Sequence, residues 1–355
     1  MGNETVKSSK LRRFWRWVKK HHVAIALILG AFIVAATFVI ALQFIDQDIE
    51  FVKTKVKPKT TEKIYSSLTG RQVSTVAATT MPVTAVMIEN SPEARPQSGL
   101  KQAGVVYEAV AEGGITRFIA LYQQEKPELI GPVRSLRAYY LDWAAPYQAS
   151  IAHVGGSDNA LDRVRNGNYR DLDQFFNAGS YWRASDRYAP HNVYTNFEQL
   201  DALNASKNYT ESSFSSFPRT DGKTAEEPNA TSISVNFSSA SFNTSYTYNA
   251  ETNNYARSLA GEPHNDREQG QITPDVVVVL KTTTAVRDSS GYEDVVTTGG
   301  GQAYVFQNGT VTEVTWKKEQ DGPLELVDGE NKPISLNRGQ TWIAATTGTG
   351  SISWQ

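Results

Sequence analysis

Residues 82–123 read PVTAVMIENSPEARPQSGLKQAGVVYEAVAEGGITRFIALYQ. Three runs stand out in them: PVTAVMIEN (82–90), GVVYEAV (104–110) and ITRFIALYQ (115–123). Each is short, rich in β-branched and aromatic residues, and bounded by Gly, Pro and Ser, which is the texture of strands. Outward toward the C-terminus, YYLDWAAPYQ (139–148) is amphipathic and predicts a helix over 138–149 interrupted at Pro146. SIAHVGGS (150–157) predicts a buried strand ending in a Gly-Gly turn, 159–176 a helix, and NFEQLDAL (196–203) a short helix capped by Asn196.

Residues 204–231 form a connector rich in Ser, Thr, Pro and Asp, after which the texture becomes largely β. SISVNFS (232–238), SYTYNAETNNYARSL (245–259), DVVVVLKTTTAV (275–286), GGQAYVFQNGTVTEVTWKK (300–318) and GQTWIAATT (339–347) all alternate or run apolar. Asn308-Gly309 between two alternating runs predicts a type I′ hairpin. The expected fold class is therefore α+β. A mixed-sheet α/β domain (81–225) precedes a mostly antiparallel β domain (226–355), and one transmembrane helix precedes both.

That helix is the run VAIALILGAFIVAATFVIALQF over 23–44, which carries no charge. At about 1.5 Å per residue it spans roughly 33 Å, enough for a hydrocarbon core of about 30 Å. Seven basic residues and one acid precede it, from Lys7 to Lys20 with Glu4, whereas Asp46, Asp48 and Glu50 follow. Basic before and acidic after predicts a single-pass protein of the cell membrane, with 1–22 as a cytoplasmic tail and the rest extracytoplasmic. Phe14, Trp15 and Trp17 sit where interfacial aromatics sit, among Arg and Lys that suit anionic headgroups. A cleaved signal peptide competes with this reading: Val39-Ile40-Ala41 passes for a weak cleavage site, although the run exceeds a typical h-region. The Lys/Thr/Ser bias of 45–80 predicts an extended stalk.

Composition closes several function classes. The net charge is −2, and the basic tail contributes +6, so the remainder is −8 and offers no nucleic-acid surface. The absence of cysteine excludes disulfides, thiolate metal sites, cysteine nucleophiles and a lipid-bearing cysteine. No Gly-x-Ser-x-Gly elbow, Walker loop or His-Glu-x-x-His motif occurs, no cofactor is implied, and no ligand spacing supports a metal. The Asn-x-Ser/Thr triplets read as composition, and the tryptophans at 182, 316, 342 and 354 read as core rather than sugar platforms.

The polar residues of the α/β half gather where ionisable side chains adjoin Gly or Pro: 89–96, 112–117, 131–137, 153–157 and 187–192. Arg117, Arg134 and Arg137, if convergent, make a cationic pocket for carboxylate or phosphate. The competing reading pairs them internally with Glu89, Glu108, Glu112 or Asp142. The candidate ligand-binding set is Glu89, Arg95, Arg117, Arg134, Arg137, His153, His191 and Asn192. An enzyme reading takes His153 or His191 as base, Glu89 or Glu112 as acid, and Ser135 or Ser157 as nucleophile. A hydrogen-bonded core histidine is the bland alternative for His153. His264, in the PHND segment, belongs either to an interdomain cleft or to a simple turn.

The same segments carry a family resemblance. MIENSPEARPQSGL, VYEAVAEGGITRF, IGPVRSLRAYYLD, HVGGS and YAPHNVYT, then GEPHNDR, GQAYVFQNGTVTEVTWKK and LNRGQTWI, resemble in order the YerB-like family of bacterial envelope proteins, domain of unknown function 3048. The resemblance covers essentially 82 to the C-terminus. It implies a two-domain extracytoplasmic protein of Gram-positive-type bacteria and brings no known catalytic mechanism. Many relatives are lipoproteins, and this chain departs from them by using a membrane helix. The functional expectation is a membrane-anchored binding or accessory protein that recognises an anionic cell-wall component or a cell-wall enzyme. A hydrolase or transferase with a histidine base is the alternative, and a purely structural interaction module the third.

Overall fold

The computed structural model describes residues 5–53, 63–284, 294–348 and 350–355, with side chains over 10–43 in the first segment. The chain forms two compact units, Met1–Glu62 and Lys63–Gln355.

The first unit is helix α1, Thr5–Lys53. Its Lys10–Gln43 portion is long and apolar enough to cross a membrane and is uncovered by protein. Leu27, Phe32 and Val34 are all about two-thirds exposed or more. A helix apolar on every side has no polar face to give to water, so its uncovered surface suits lipid. The helix outruns the expected 23–44 at both ends. Residues 45–53 contain neither Gly nor Pro to break the helix, and they extend it instead of starting a stalk. The rest of the expected stalk up to 62 lies outside the described residues.

From Lys63 onward the stalk expectation is overturned. Ile64–Tyr65 pairs with Gln72–Val73, and Leu68 between them is fully buried in the main core. One apolar residue in a polar stretch is invisible as a core signal until its cover folds over it.

The second unit is built on a ten-stranded mixed sheet and a five-stranded antiparallel sheet. In chain order the strands are β1 (Thr84–Glu89), β2 (Val105–Glu112), β3 (Ile115–Tyr122), β4 (Ser150–His153), β5 (Arg170–Asp173), β6 (Ser232–Asn236), β7 (Thr244–Asn249) and β8 (Asn254–Leu259). They continue as β9 (Glu262–Pro263), β10 (Val276–Lys281), β11 (Gly299–Gln307), β12 (Thr310–Lys318), β13 (Glu325–Val327), β14 (Thr341–Thr346) and β15 (Ser351–Trp354). The large sheet runs β13-β12-β11-β10-β14-β2-β3-β1-β4-β5, and the smaller one β9-β8-β7-β6-β15.

Alternate residues of the large sheet enter two cores. Ala85, Met87, Ile119 and Val278 face helices α2 (Ala138–Ala144) and α3 (Asp158–Asn166). Val86, Ile88, Phe118 and Val277 face the smaller sheet and helix α4 (Phe197–Ser206). The unit is thus layered helix, sheet, sheet.

The mixed sheet, the antiparallel sheet and the apolar helix match the expected fold class. The two expected domains, however, share the large sheet: β14 pairs in parallel with β2, Thr341 opposite Val105 through Ala345 opposite Ala109. Both β10 and β14 are apolar on both faces, the pattern of central parallel strands, which need covering layers on each side. The helix expected over 159–176 stops at Asn166, where the Gly167 N–H caps the Arg163 carbonyl, and 170–173 becomes the edge strand β5. Asn196 caps α4 as expected, its side chain accepting from the Gln199 N–H at 2.9 Å.

Asn308 and Gly309 close the β11–β12 hairpin with φ of 60° and 78°. A Cβ on Gly309 would stand 2.6 Å from the Tyr248 ring. Gly309→Ala is therefore expected to cost about 1–3 kcal/mol, read from the urea midpoint of the second unit.

Candidate functional site

Strands β1, β2, β4 and β5 run in one direction, so their C-terminal ends meet at one edge of the sheet. In open sheets such edges are where loops leave room for a ligand. Each sequence segment that joined a charged residue to Gly or Pro arrives at or beside this edge.

Two ion clusters form there. Glu112, at the end of β2, accepts from Arg117 Nη2 at 2.6 Å, and from Arg137 Nε at 3.1 Å and Nη2 at 2.7 Å. Both guanidiniums are buried and also donate to backbone carbonyls, Arg117 to Ser135 and Arg137 to Leu136. Burial alone would raise the Glu112 carboxyl, but the Arg117 and Arg137 charges outweigh it and hold it below the usual carboxylate range. Glu112 is thereby a counter-ion, which argues against the acid role.

The second cluster centres on Glu89, at the end of β1. Arg134 Nε stands 3.3 Å from Glu89 Oε1, and His191 Nδ1 stands 3.0 Å from Oε2, both close charge contacts rather than aligned hydrogen bonds. Ser91 Oγ donates to Glu89 Oε1 at 3.2 Å, and His191 Nδ1 lies 3.2 Å from that same Oγ. Because the serine proton is committed to Glu89 and a carboxylate can only accept, the imidazole presents an Nδ1–H to this cluster and turns Nε2 away from it. Among the described residues, neither Nε2 nor the terminal nitrogens of Arg134 meet a protein partner. Arg134 and His191 remain 27% and 24% exposed, so both reach solvent.

His191 also lines a hollow of about 460 Å³ with Glu93, Pro96, Arg187 and Tyr188. Arg187 donates to the carbonyls of Glu93 and Pro96, and among the described residues no carboxylate lies in salt-bridge reach of it. Tyr188 is 92% exposed. Phe175, Phe176 and Trp182 also have substantial exposure, so the stretch 175–188 gathers most of the unit's exposed large apolar side chains.

The remaining candidates take structural positions. His153 is fully buried, Nδ1 contacting the Gly155 carbonyl at 2.8 Å and Nε2 contacting Asp171 at 3.0 Å. With both nitrogens engaged by protein groups and the ring fully buried, it offers neither nitrogen to a substrate, which argues against the general-base role. Asn192 is buried and pins its own loop, accepting from Arg183 and donating to the Ala184 and Arg187 carbonyls. Arg95 is a strut, donating to Asn90 and to the Ser241 carbonyl over the Phe242 ring. Trp316 and Trp342 are core residues, as expected, whereas Trp182 is exposed and Trp354 half-buried, against that expectation.

Asp171 gives the edge a pH dependence. Burial would raise its carboxyl, but the hydrogen bond and charge of His153 hold it below the usual range. A depressed carboxyl contributes stability that is present above its unfolded value and lost as pH falls through the folded one. Asp171→Asn should therefore flatten the acid limb of stability below about pH 4, read by urea unfolding across that range.

A buried network lies beneath the edge, and of its members the sequence marks Glu108 and His264 but not Arg257. Glu108 Oε2 accepts from Arg257 Nη2 at 2.7 Å and from Trp342 Nε1 at 3.0 Å, while Oε1 accepts from Thr116. Arg257 lies 4.4 Å from the Trp342 ring centroid and donates to His264, whose Nε2 reaches Gln97 at 3.0 Å. Burial, then the charges of Arg257 and Arg95, push His264 well below its ordinary value, so it is neutral. His264 thus joins the two halves from inside, while also lining a shallow groove of about 370 Å³ with Arg95, Leu259 and Glu262. For Arg257 the sequence signal is a charged residue inside the β-rich run 245–259.

With this geometry in place, comparison with known proteins is informative. The family "Protein of unknown function (DUF3048)" matches through its N-terminal domain over residues 68–210 and its C-terminal domain over 233–343. The first match opens at Leu68, the first core residue. A curated relative from Bacillus subtilis (strain 168), named "Putative lipoprotein YerB", is 32% identical over 293 residues, 81% of this chain and 87% of the relative. The crystal structure of the YerB protein from Bacillus subtilis matches with a TM-score of 0.74 at 28% identity, covering 82% of this chain and 100% of that one. With both family segments matched in order along a shared fold, and with YerB similar over about four-fifths of this chain, the chain belongs to the DUF3048 family.

Proposed function

We propose that this is a membrane-anchored, extracytoplasmic binding protein of the cell envelope, which holds a phosphate or carboxylate of a cell-wall polymer at the C-terminal edge of its large sheet. The observation that carries the reading is charge. Arg117, Arg134, Arg137 and Arg187 gather at this edge, whereas Glu89 and Glu112 are the carboxylates that contact the first three. Arg134 keeps its terminal nitrogens free for the bidentate grip that guanidinium offers such anions. Exposed Tyr188 beside His191 adds a flat apolar face for a ring-containing polymer. The relative's name calls it a lipoprotein, and α1 supplies this chain, which lacks cysteine, with a different tether.

Retention of purified wall polymer by immobilised residues 63–355 tests the reading. Phosphate-bearing or carboxylate-bearing polymer should be retained at low salt and released as salt rises. Failure to retain either sinks it.

The Glu89–Ser91–His191 chain favours one alternative, a hydrolase or transferase with His191 Nε2 as general base. In that case His191→Gln abolishes wall-polymer turnover while leaving retention intact. A wild-type protein that retains polymer without altering it excludes the enzyme.

A further inference from the structure

We infer that the N-terminal part of α1 is a separate amphipathic helix that lies along the inner membrane surface and binds anionic lipid headgroups. This rests on the reading of α1 as a membrane span with its N-terminus inside. The helix is broken at His21, whose φ of −115° and ψ of 15° are not helical. The His22 ring caps the break, donating from Nδ1 to the Lys19 carbonyl at 2.8 Å. A side chain bonded into the backbone ladder is a recognised cause of a kink. The segment before His21 is therefore free to take a different direction from the apolar run that begins at Val23.

Its side chains divide between two faces, with Lys10 and Trp17 on one border between them. Leu11, Phe14, Trp15 and Val18 follow the i, i+3, i+4, i+7 spacing that places them on one stripe. Leu11, Phe14 and Trp15 are 61%, 56% and 58% exposed, so no protein covers that stripe among the described residues. Arg12, Arg13, Arg16, Lys19 and Lys20 occupy the other side, with no acid among residues 10–22.

A straight continuation of the span would stand this stripe in water. Lying along the bilayer buries the stripe at the acyl boundary and sets the cations among headgroup phosphates. The occupant follows from continuity with the span and from charge: five cations on one short face complement a surface of net negative charge, which zwitterionic lipid lacks. The segment would then fix the depth of the anchor and bias the protein toward anionic lipid.

The full-length chain suits site-directed spin labelling because it contains no native cysteine. Leu11→Cys, Arg13→Cys, Phe14→Cys and Arg16→Cys are labelled singly and reconstituted in bilayers of phosphatidylcholine with or without phosphatidylglycerol. In the anionic bilayers, labels at 11 and 14 should favour oxygen over aqueous nickel, and labels at 13 and 16 the reverse. That contrast should fall when phosphatidylglycerol is omitted. Equal aqueous access at all four sites in both lipids would overturn the inference, as would a contrast indifferent to lipid charge. A label at Phe32→Cys reports the span itself, so failure of the transmembrane reading is seen separately.

Discussion

Glu108→Gln is expected to lower the unfolding free energy of the unit Lys63–Gln355 by about 3–5 kcal/mol, the cost of leaving a buried charge without its partner. Glu108 and Arg257 are both fully buried, 2.7 Å apart. The carboxylate also accepts from Trp342 and Thr116, so an amide in its place leaves acceptors short and one donor opposed to another. The loss should appear in urea unfolding as a lower midpoint with an unchanged slope. Glu108 lies on β2 and Arg257 on β8, so the pair ties the large sheet to the smaller one. The double variant Glu108→Leu, Arg257→Met should recover much of the loss, because no unpaired charge remains buried. A Glu108→Gln protein as stable as wild type would remove the network from the account of the fold.

Glu112→Gln should be the second-largest change, costing about 2–3 kcal/mol, because two buried guanidiniums lose the anion they share. The effect is smaller than at Glu108 because the Glu112 side chain is 29% exposed and water can replace part of what is lost. It should also be local. Arg117 and Arg137 hold the backbone of 135–136 through the Ser135 and Leu136 carbonyls, so hydrogen exchange in 131–137 should quicken before global unfolding. Arg134 sits on that loop, so loosening it should weaken ligand binding as well. Unchanged exchange there would mean that the cluster does not position the edge.

The residues legible from sequence were those whose meaning is local. Asn308-Gly309 set a hairpin and Asn196 a cap through their own backbone chemistry. The gathering of Gly and Pro with charge marked the strand ends correctly, because a chain that turns sharply at the surface needs the first and carries the second. What depended on distant partners was lost. The joining of β14 to β2 across more than two hundred residues leaves no trace in either run. Helical spacing continued past Gly167, where pairing with β4 prevailed. His153 and Asn192 resembled ligand residues by type, and only their filled hydrogen bonds reveal them as supports. Glu108 was visible as a possible ion partner, but its counter-ion lies 149 positions away.

The central claim is that the strand-end arginines bind an anion, and Arg134 is the residue on which it turns. Residues 63–355 and the Arg134→Gln variant should be titrated calorimetrically with a phosphate-rich wall polymer at fixed salt. Loss of a bidentate, charge-assisted contact predicts affinity lower by about 10- to 100-fold at a temperature where both proteins are folded, although the unfolding midpoint should fall because buried Glu89 loses the Arg134 charge. Equal affinity of the two proteins would contradict the account.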